Sequence, residues 1–476
     1  MKNTFLILLG VFFGALPTYA QTDWREIQKI VAPDRDSADF YGSSVSISNT
    51  YAIVGITRDD EPSGQNAVKD AGAAFLYEQS ANGTWRQVQK IVASDRDDTA
   101  RFGWSVAISG DYAIVGALNE DEDANGQNTL DDAGAAYIFE RNANGIWNEV
   151  QKIVASDRGS GDLFGQRLDL SGNYAIVGAA SNDEVTNGQD TLNDAGAAYI
   201  FERDANGTWS EAQKIVASDR DSDDFFGRSV ALSGDYAIVG ALFEDDDASG
   251  QNALDGAGSA YLFERSSSGT WNQQQKIVAS DRASGDNFGQ SVAIDSDYAI
   301  VGATLEDEDA SGQNALDAAG SAYIFERNAN GTWSQAQKIV ASDRESGDYF
   351  GTFMDLSGDY AIVGAWFEDD DASGQDSLSD AGSAYMFERA SDGTWREIQK
   401  IVASDRGSSD AFGYWVALDG DYAIVGAYGN GQDTSGQDTV PDAGAAYIFE
   451  RVQSTSIITQ KDSETSLVQA FVDDRR

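Results

Sequence analysis

Apolar and polar positions alternate in short runs that return in a fixed order. SVAIS at 105–109 is followed by YAIVGA at 112–117, GAAYIFER at 134–141 and WNEVQKIV at 147–154. Val, Ile, Tyr, Phe and Trp favour a pleated, half-buried chain, while Gly, Asn, Asp and Ser punctuate it. Each run therefore predicts a strand, here called A, B, C and D in order. The A–B link is SGD or a near equivalent, and the C–D link is NANG, DANG or SSSG. Gly and Asn at these links accept positive φ, so both predict antiparallel hairpins. No stretch of the repeats sustains a helical period.

The four-strand unit repeats. Trp24, Trp85, Trp147, Trp209, Trp271, Trp333 and Trp395 each precede a QKIVA segment; the first spacing is 61 residues and the other five are 62. An aromatic–Gly pair opens strand A in each copy: Tyr41-Gly42, Phe102-Gly103, Phe164-Gly165, Phe226-Gly227, Phe288-Gly289, Phe350-Gly351 and Phe412-Gly413. Seven antiparallel units of this length predict an all-β fold, a seven-bladed β-propeller of four-stranded blades. A linear solenoid fits less well, because each unit is its own meander. The chain opens its repeats with a D strand (24–31) and ends them with a C strand (445–451), so residues 24–31 are expected to complete the last blade and close the ring. Ile457-Ile458-Thr459 occupies the rival position but lacks the Trp.

Residues 1–20, MKNTFLILLGVFFGALPTYA, carry a basic start, an apolar stretch and small residues before Gln21, the pattern of a secretory signal peptide. The expected layout is a signal peptide at 1–20, a propeller at 21–456 and a polar tail at 457–476. The mature chain is thus expected to be secreted or held at the cell surface, without an integral membrane span. The 476 residues hold 79 acidic against 32 basic side chains, a formal net charge of −47. Nucleic acid and anionic membrane surfaces would be repelled. Cys and His are both absent, which excludes disulfides, Cys/His zinc sites and any His-dependent triad.

The FG…SVA…GD…VGA…G(A/S)AY(I/L)FER pattern over residues 24–451 resembles the FG-GAP repeat family, and within it the bacterial branch whose repeats carry a Trp and a QK(I/L) segment. The resemblance implies a seven-bladed propeller similar to that of integrin α-subunits, which are extracellular and bind protein ligands and calcium. The chain departs from the integrin pattern in two ways. Its GA pairs are not followed by Pro (Ala117-Leu118, Ala241-Leu242), and its A–B link is a tight turn, not a calcium loop. Integrin calcium positions are therefore not carried over.

Candidate chemistry lies elsewhere. The B–C loops read Asp121-x-Asp123-x-Asn125-Gly126, Asp245-x-Asp247-x-Ser249-Gly250, Asp307-x-Asp309-x-Ser311-Gly312 and Asp369-x-Asp371-x-Ser373-Gly374. Alternating oxygens before a Gly turn are how calcium loops begin, and the carbonyl of Gln127, Gln251, Gln313 or Gln375 would add a ligand. The bidentate Glu of position twelve is absent: Asp132, Gly256, Ala318 and Asp380 stand there. Calcium is the expected cofactor, with affinity roughly 10⁻⁴ to 10⁻³ M. Copies one, three and seven have degraded loops. In an up-and-down meander the B–C loops share a face with the D–A linkers, whose recurrent Arg (Arg35, Arg96, Arg158, Arg220, Arg282, Arg344, Arg406) is expected to pair with a nearby carboxylate.

The second candidate is where copies disagree. Trp104, Arg228, Tyr414 and Trp415 at the start of strand A, and Trp366 and Phe367 after strand B, predict a ligand surface near the same face. No pair of acids is unique to one blade, so no catalytic residue is assigned. The expectation is a monomeric, non-enzymatic binding or adhesion propeller whose partner is an extracellular protein or glycan. A calcium-dependent polysaccharide-active enzyme and a purely structural surface or matrix module are the alternatives.

Overall fold

The computed structural model describes residues 20–60, 68–183, 191–436 and 439–455. These residues form 28 strands in seven four-stranded sheets and no helix. Blade two shows the plan: A is Phe102–Ser109, B Tyr112–Ala117, C Ala135–Arg141 and D Trp147–Ile153, each antiparallel to the next.

Blade seven takes its A, B and C strands from Phe412–Asp419, Tyr422–Ala427 and Ala445–Thr455, and its D strand from Ala20–Ile30. Trp24 pairs with Arg451 and Lys29 with Tyr447. The N-terminal strand thus closes the ring, as expected. The rest of the signal-like leader (1–19), the rival segment 457–459 and the remaining tail lie outside the described residues.

Trp and Gln recur because they stitch blade to blade. Gln151 in the D strand of blade two donates Nε2–H to Trp209 O at 2.6 Å and accepts the Trp209 N–H at 3.0 Å. This amide pair recurs at every junction, including the two around the closing strand, Gln28–Trp85 and Gln399–Trp24. The indole is buried and meets the Tyr of the preceding blade edge-on, as in Tyr112–Trp209 at 6.0 Å and Tyr360–Trp24 at 6.1 Å. Each hydrophobic cluster accordingly joins two successive blades.

The FG and GA glycines are needed for close approach. A Cβ on Gly116 would sit 2.1 Å from Gly165 O of the next blade; at the closing junction, a Cβ on Gly426 would sit 2.0 Å from Gly42 O. No side chain fits there.

The outer D strands are blunted by a bulge. In blade two Gln151 pairs with Ile138 and Glu149 with Phe139, leaving Val150 unpaired and 44% exposed. Ile27 and Val88 occupy the same position in blades seven and one. The extra residue twists the edge and discourages strand addition. The A strands surround an axial cavity of about 390 Å³, lined by all seven blades.

Candidate functional site

The B–C loops and D–A linkers lie together and are bonded to each other. Gly161 N–H donates to Asp131 O at 2.9 Å, and Arg158 donates to Asp121 O at 2.6 Å. The recurrent linker Arg does not chiefly seek a carboxylate. Arg158, Arg282, Arg344 and Arg406 all donate to backbone carbonyls of the B–C loop, at 2.6–2.7 Å from the first motif Asp. A guanidinium offers five donors in a fixed fork, which suits a loop of unpaired carbonyls. Arg96 adds an Asp59 carboxylate at 3.8 Å.

Within the four acidic loops the motif side chains serve the loop itself. Asp121 Oδ1 accepts the N–H of Asp132 at 2.8 Å, so the position-twelve residue contributes its backbone where a calcium loop would contribute an acid. Asp245, Asp307 and Asp369 do the same to Gly256, Ala318 and Asp380. Asp123 accepts the N–H groups of Asn125 and Gln127 and the Asn128 amide. Ser249, Ser311 and Ser373 donate their hydroxyls to Asp247, Asp309 and Asp371 at 2.6–2.7 Å. These bonds hold the Asp247 and Asp309 carboxyls well below the usual carboxylate range. The carbonyls of Gln127, Gln251 and Gln313 accept the N–H of Asp123, Asp247 and Asp309. As folded, these oxygens are engaged within their own loops, and no group of three His, Cys, Asp or Glu side chains that could hold a metal occurs among the described residues.

Beneath these loops lies a buried polar layer. Glu120 is fully buried; Lys152 reaches it at 3.0 Å and Asp95 at 2.8 Å, while Tyr137 donates to Asp95 and Glu120 at 2.8 and 3.1 Å. The equivalents of Glu120 are Asp59, Asn182, Glu244, Glu306, Glu368 and Asn430, all buried. Opposite them stand the buried linker acids Asp39, Asp162, Asp224, Asp286, Asp348 and Asp410. Burial pushes the carboxyls of Asp39, Asp286 and Asp348 up to about 7, and that of Asp224 up to about 8. Asp410, which accepts the Asn430 amide at 2.8 Å, rises only to about 6. The layer repeats round the ring, which marks it as structural.

The divergent positions converge at the start of the A strands. Trp415 stacks on Phe353 at 4.4 Å with an interplanar angle of 20°. Tyr414 lies 5.3 Å from both Phe353 and Trp366 and 4.7 Å from Tyr428. Trp366 touches Phe367, and Tyr428 meets Phe40 of blade one at 5.6 Å. Of the expected ligand residues, Trp366, Phe367, Tyr414 and Trp415 form one half-buried arc over blades six and seven. Arg228 carries its charge close to Tyr414. Trp104 stands apart on blade two, its ring under Arg101 at 5.7 Å.

Sequence reasoning assigned no role to Arg167, yet its guanidinium lies 5.2 Å from the Phe353 ring and 5.0 Å from the Trp415 ring. It also missed the Glu120 layer. The alternation of Glu, Asp and Asn in that column was the available signal.

Seven segments, 24–77, 85–139, 147–201, 209–263, 271–325, 333–387 and 395–449, match the FG-GAP repeat model. The chain belongs to the FG-GAP repeat family. No curated protein matches it. A crystal structure of a protein from Lactobacillus plantarum is similar over 85% of this chain and 100% of that one, at 14% identity and a TM-score of 0.49, a level that conveys nothing about function.

Proposed function

We propose that this chain is an exported, non-enzymatic binding propeller that holds a protein or glycan partner on the face made by its B–C loops and D–A linkers. The observation that carries this reading is the aromatic arc of Trp366, Tyr414, Trp415 and Tyr428, which breaks the seven-fold repeat at the centre of that face. Half-buried rings at a concave mouth suit a sugar ring or an inserted side chain. Export rests on the leader at residues 1–20. Among the described residues, no helix is long and apolar enough to cross a membrane. The test is capture from glycan arrays and cell-surface extracts with wild type, Trp366→Ala and Trp415→Ala. Ligands retained by wild type and lost by both variants support the reading; equal capture by all three refutes it.

Calcium forms a second reading, favoured by the crowding of four acidic loops on one face of a chain with net charge −47. The motif carboxylates already accept bonds from their own loops, so calcium would have to replace the Asn128–Asp123 type of bond with its own. Asp247→Asn keeps the acceptor for Ser249 and removes the charge. A calcium-dependent rise in Tm that weakens in this variant supports the reading; a Tm indifferent to calcium and to EDTA ends it.

A further inference from the structure

The axial mouth holds two guanidiniums that meet no carboxylate. Most other arginines of this acidic chain reach a carboxylate, as Arg141 reaches Asp111 at 2.5 Å, or carbonyls of a neighbouring loop, as Arg158 reaches Asp121 O. Arg167 is buried and donates Nη1–H to the Gln166 carbonyl at 2.8 Å; desolvation, the like charge of Arg228 and the Tyr414 hydroxyl act on it. On Arg228 only desolvation and Tyr414 act. Arg228 Nη1 is buried without a hydrogen-bond partner. Three equivalents of Arg228 in the ring of A-strand starts share that condition: Ser43 Oγ, Trp104 Nε1 and Gln166 Oε1. Two like charges side by side, one with an unpaired buried N–H, are costly unless an anion joins them.

We infer that the mouth of the axial cavity takes the free C-terminal carboxylate of a basic peptide segment, with Arg228 and Arg167 on the carboxylate and the ring wall of Phe353, Tyr414 and Trp415 on the last side chain. This rests on the binding face proposed above and names the partner. A guanidinium fork matches a carboxylate; Arg167, Phe353 and Trp415 line the head of the axial cavity of about 390 Å³, and Asp169, Asp295, Asp355 and Asp419 on its walls confine an anion to the mouth. The surroundings decide between a chain end and an acidic polysaccharide. The mouth is rimmed by acidic loops and linkers, which would repel a polyanion along its whole length. A peptide with one carboxylate at its tip and lysines or arginines upstream meets positive charge at the centre and negative charge at the rim.

The test uses the whole protein and a library of short peptides carrying two lysines upstream of randomised last residues, made as free acids and as C-terminal amides. Free acids are expected to be captured, with the matching amides weaker by about tenfold or more. Arg228→Gln, which keeps a polar side chain of similar reach, is expected to remove the acid–amide difference. Its melting curve reports whether it is folded, and the acid–amide comparison on wild type stands without it. Equal binding of acids and amides overturns the inference while leaving the binding face intact. Capture of oligoglucuronate in place of the peptides overturns it in favour of an acidic glycan. If neither peptides, glycans nor surface extracts are captured, the binding face itself falls.

Discussion

Asp286 offers the sharpest check on the buried polar layer. It is 5% exposed, accepts the Ala283 N–H at 2.6 Å and faces the fully buried Glu306. Burial, with Glu306 and Asp281 adding to it, pushes its carboxyl from 3.8 up to about 7. Between these values the folded chain holds a proton that the unfolded chain has lost. Stability contributed by this group is therefore full at pH 4 and falls as pH rises towards 7. Three pH units correspond to about 4 kcal/mol as a ceiling, and water penetration and relaxation reduce this to about 2 kcal/mol. Asp286→Asn keeps an acceptor for Ala283 and fixes the side chain in its neutral form. Blades three and seven already use an amide in this layer, where Asn182 and Asn430 donate to Asp162 and Asp410. The variant should melt about 3 °C higher than wild type at pH 8 and no higher at pH 4. Circular-dichroism melts from pH 4 to 9 read this directly. A gain that does not grow with pH, or a loss at pH 8, would refute the charge argument and make the site a packing position.

Two further outcomes follow from the blade junctions. Gly116→Ala forces a methyl against Gly165 O at 2.1 Å and should cost about 3 kcal/mol or more, seen as a large drop in Tm or in soluble yield, whereas a near-wild-type melt would show that the junction can open. Gln399→Leu removes both hydrogen bonds to Trp24 at the closing junction and leaves a buried amide unpaired. It should cost about 2 kcal/mol and raise protease cleavage near residues 20–30; unchanged proteolysis would show that the junction does not depend on that amide pair.

The fold was legible because its constraints are written seven times. Trp, Gln, the aromatic–Gly pair and the GA glycine each make the same contact at each junction, so the same residue recurs at a fixed spacing. The loops were harder to read. Asp121-x-Asp123 spells the start of a calcium loop, but a pattern of types does not reveal that Asp121 Oδ1 and both Asp123 oxygens accept hydrogen bonds from their own loop. Acidic composition also misled: Glu120 and Glu244 sit in acidic runs, yet they are buried against Lys152 and Lys276. Arg167 stands at the same repeat position as Phe353 and Trp415, but spacing alone does not show that these three, from opposite sides of the ring, meet.

The column containing Arg167 shows what the mouth has given up. In blades one, two, four and five this position is Ser, and Ser44, Ser105 and Ser229 donate to Gly103 O, Gly165 O and Gly289 O of the next blade at 2.7–2.8 Å. Arg167, Phe353 and Trp415 replace that Ser in blades three, six and seven, and each forgoes a junction bond worth about 1 kcal/mol. Three independent losses scattered round a ring would be drift. Here the three replacements meet: Phe353 stacks on Trp415, and the Arg167 guanidinium lies about 5 Å from both rings. Residues far apart in sequence that each break the repeat and then touch one another are best explained by a shared task at the axis. A local rule broken without a structural gain is where function is to be sought.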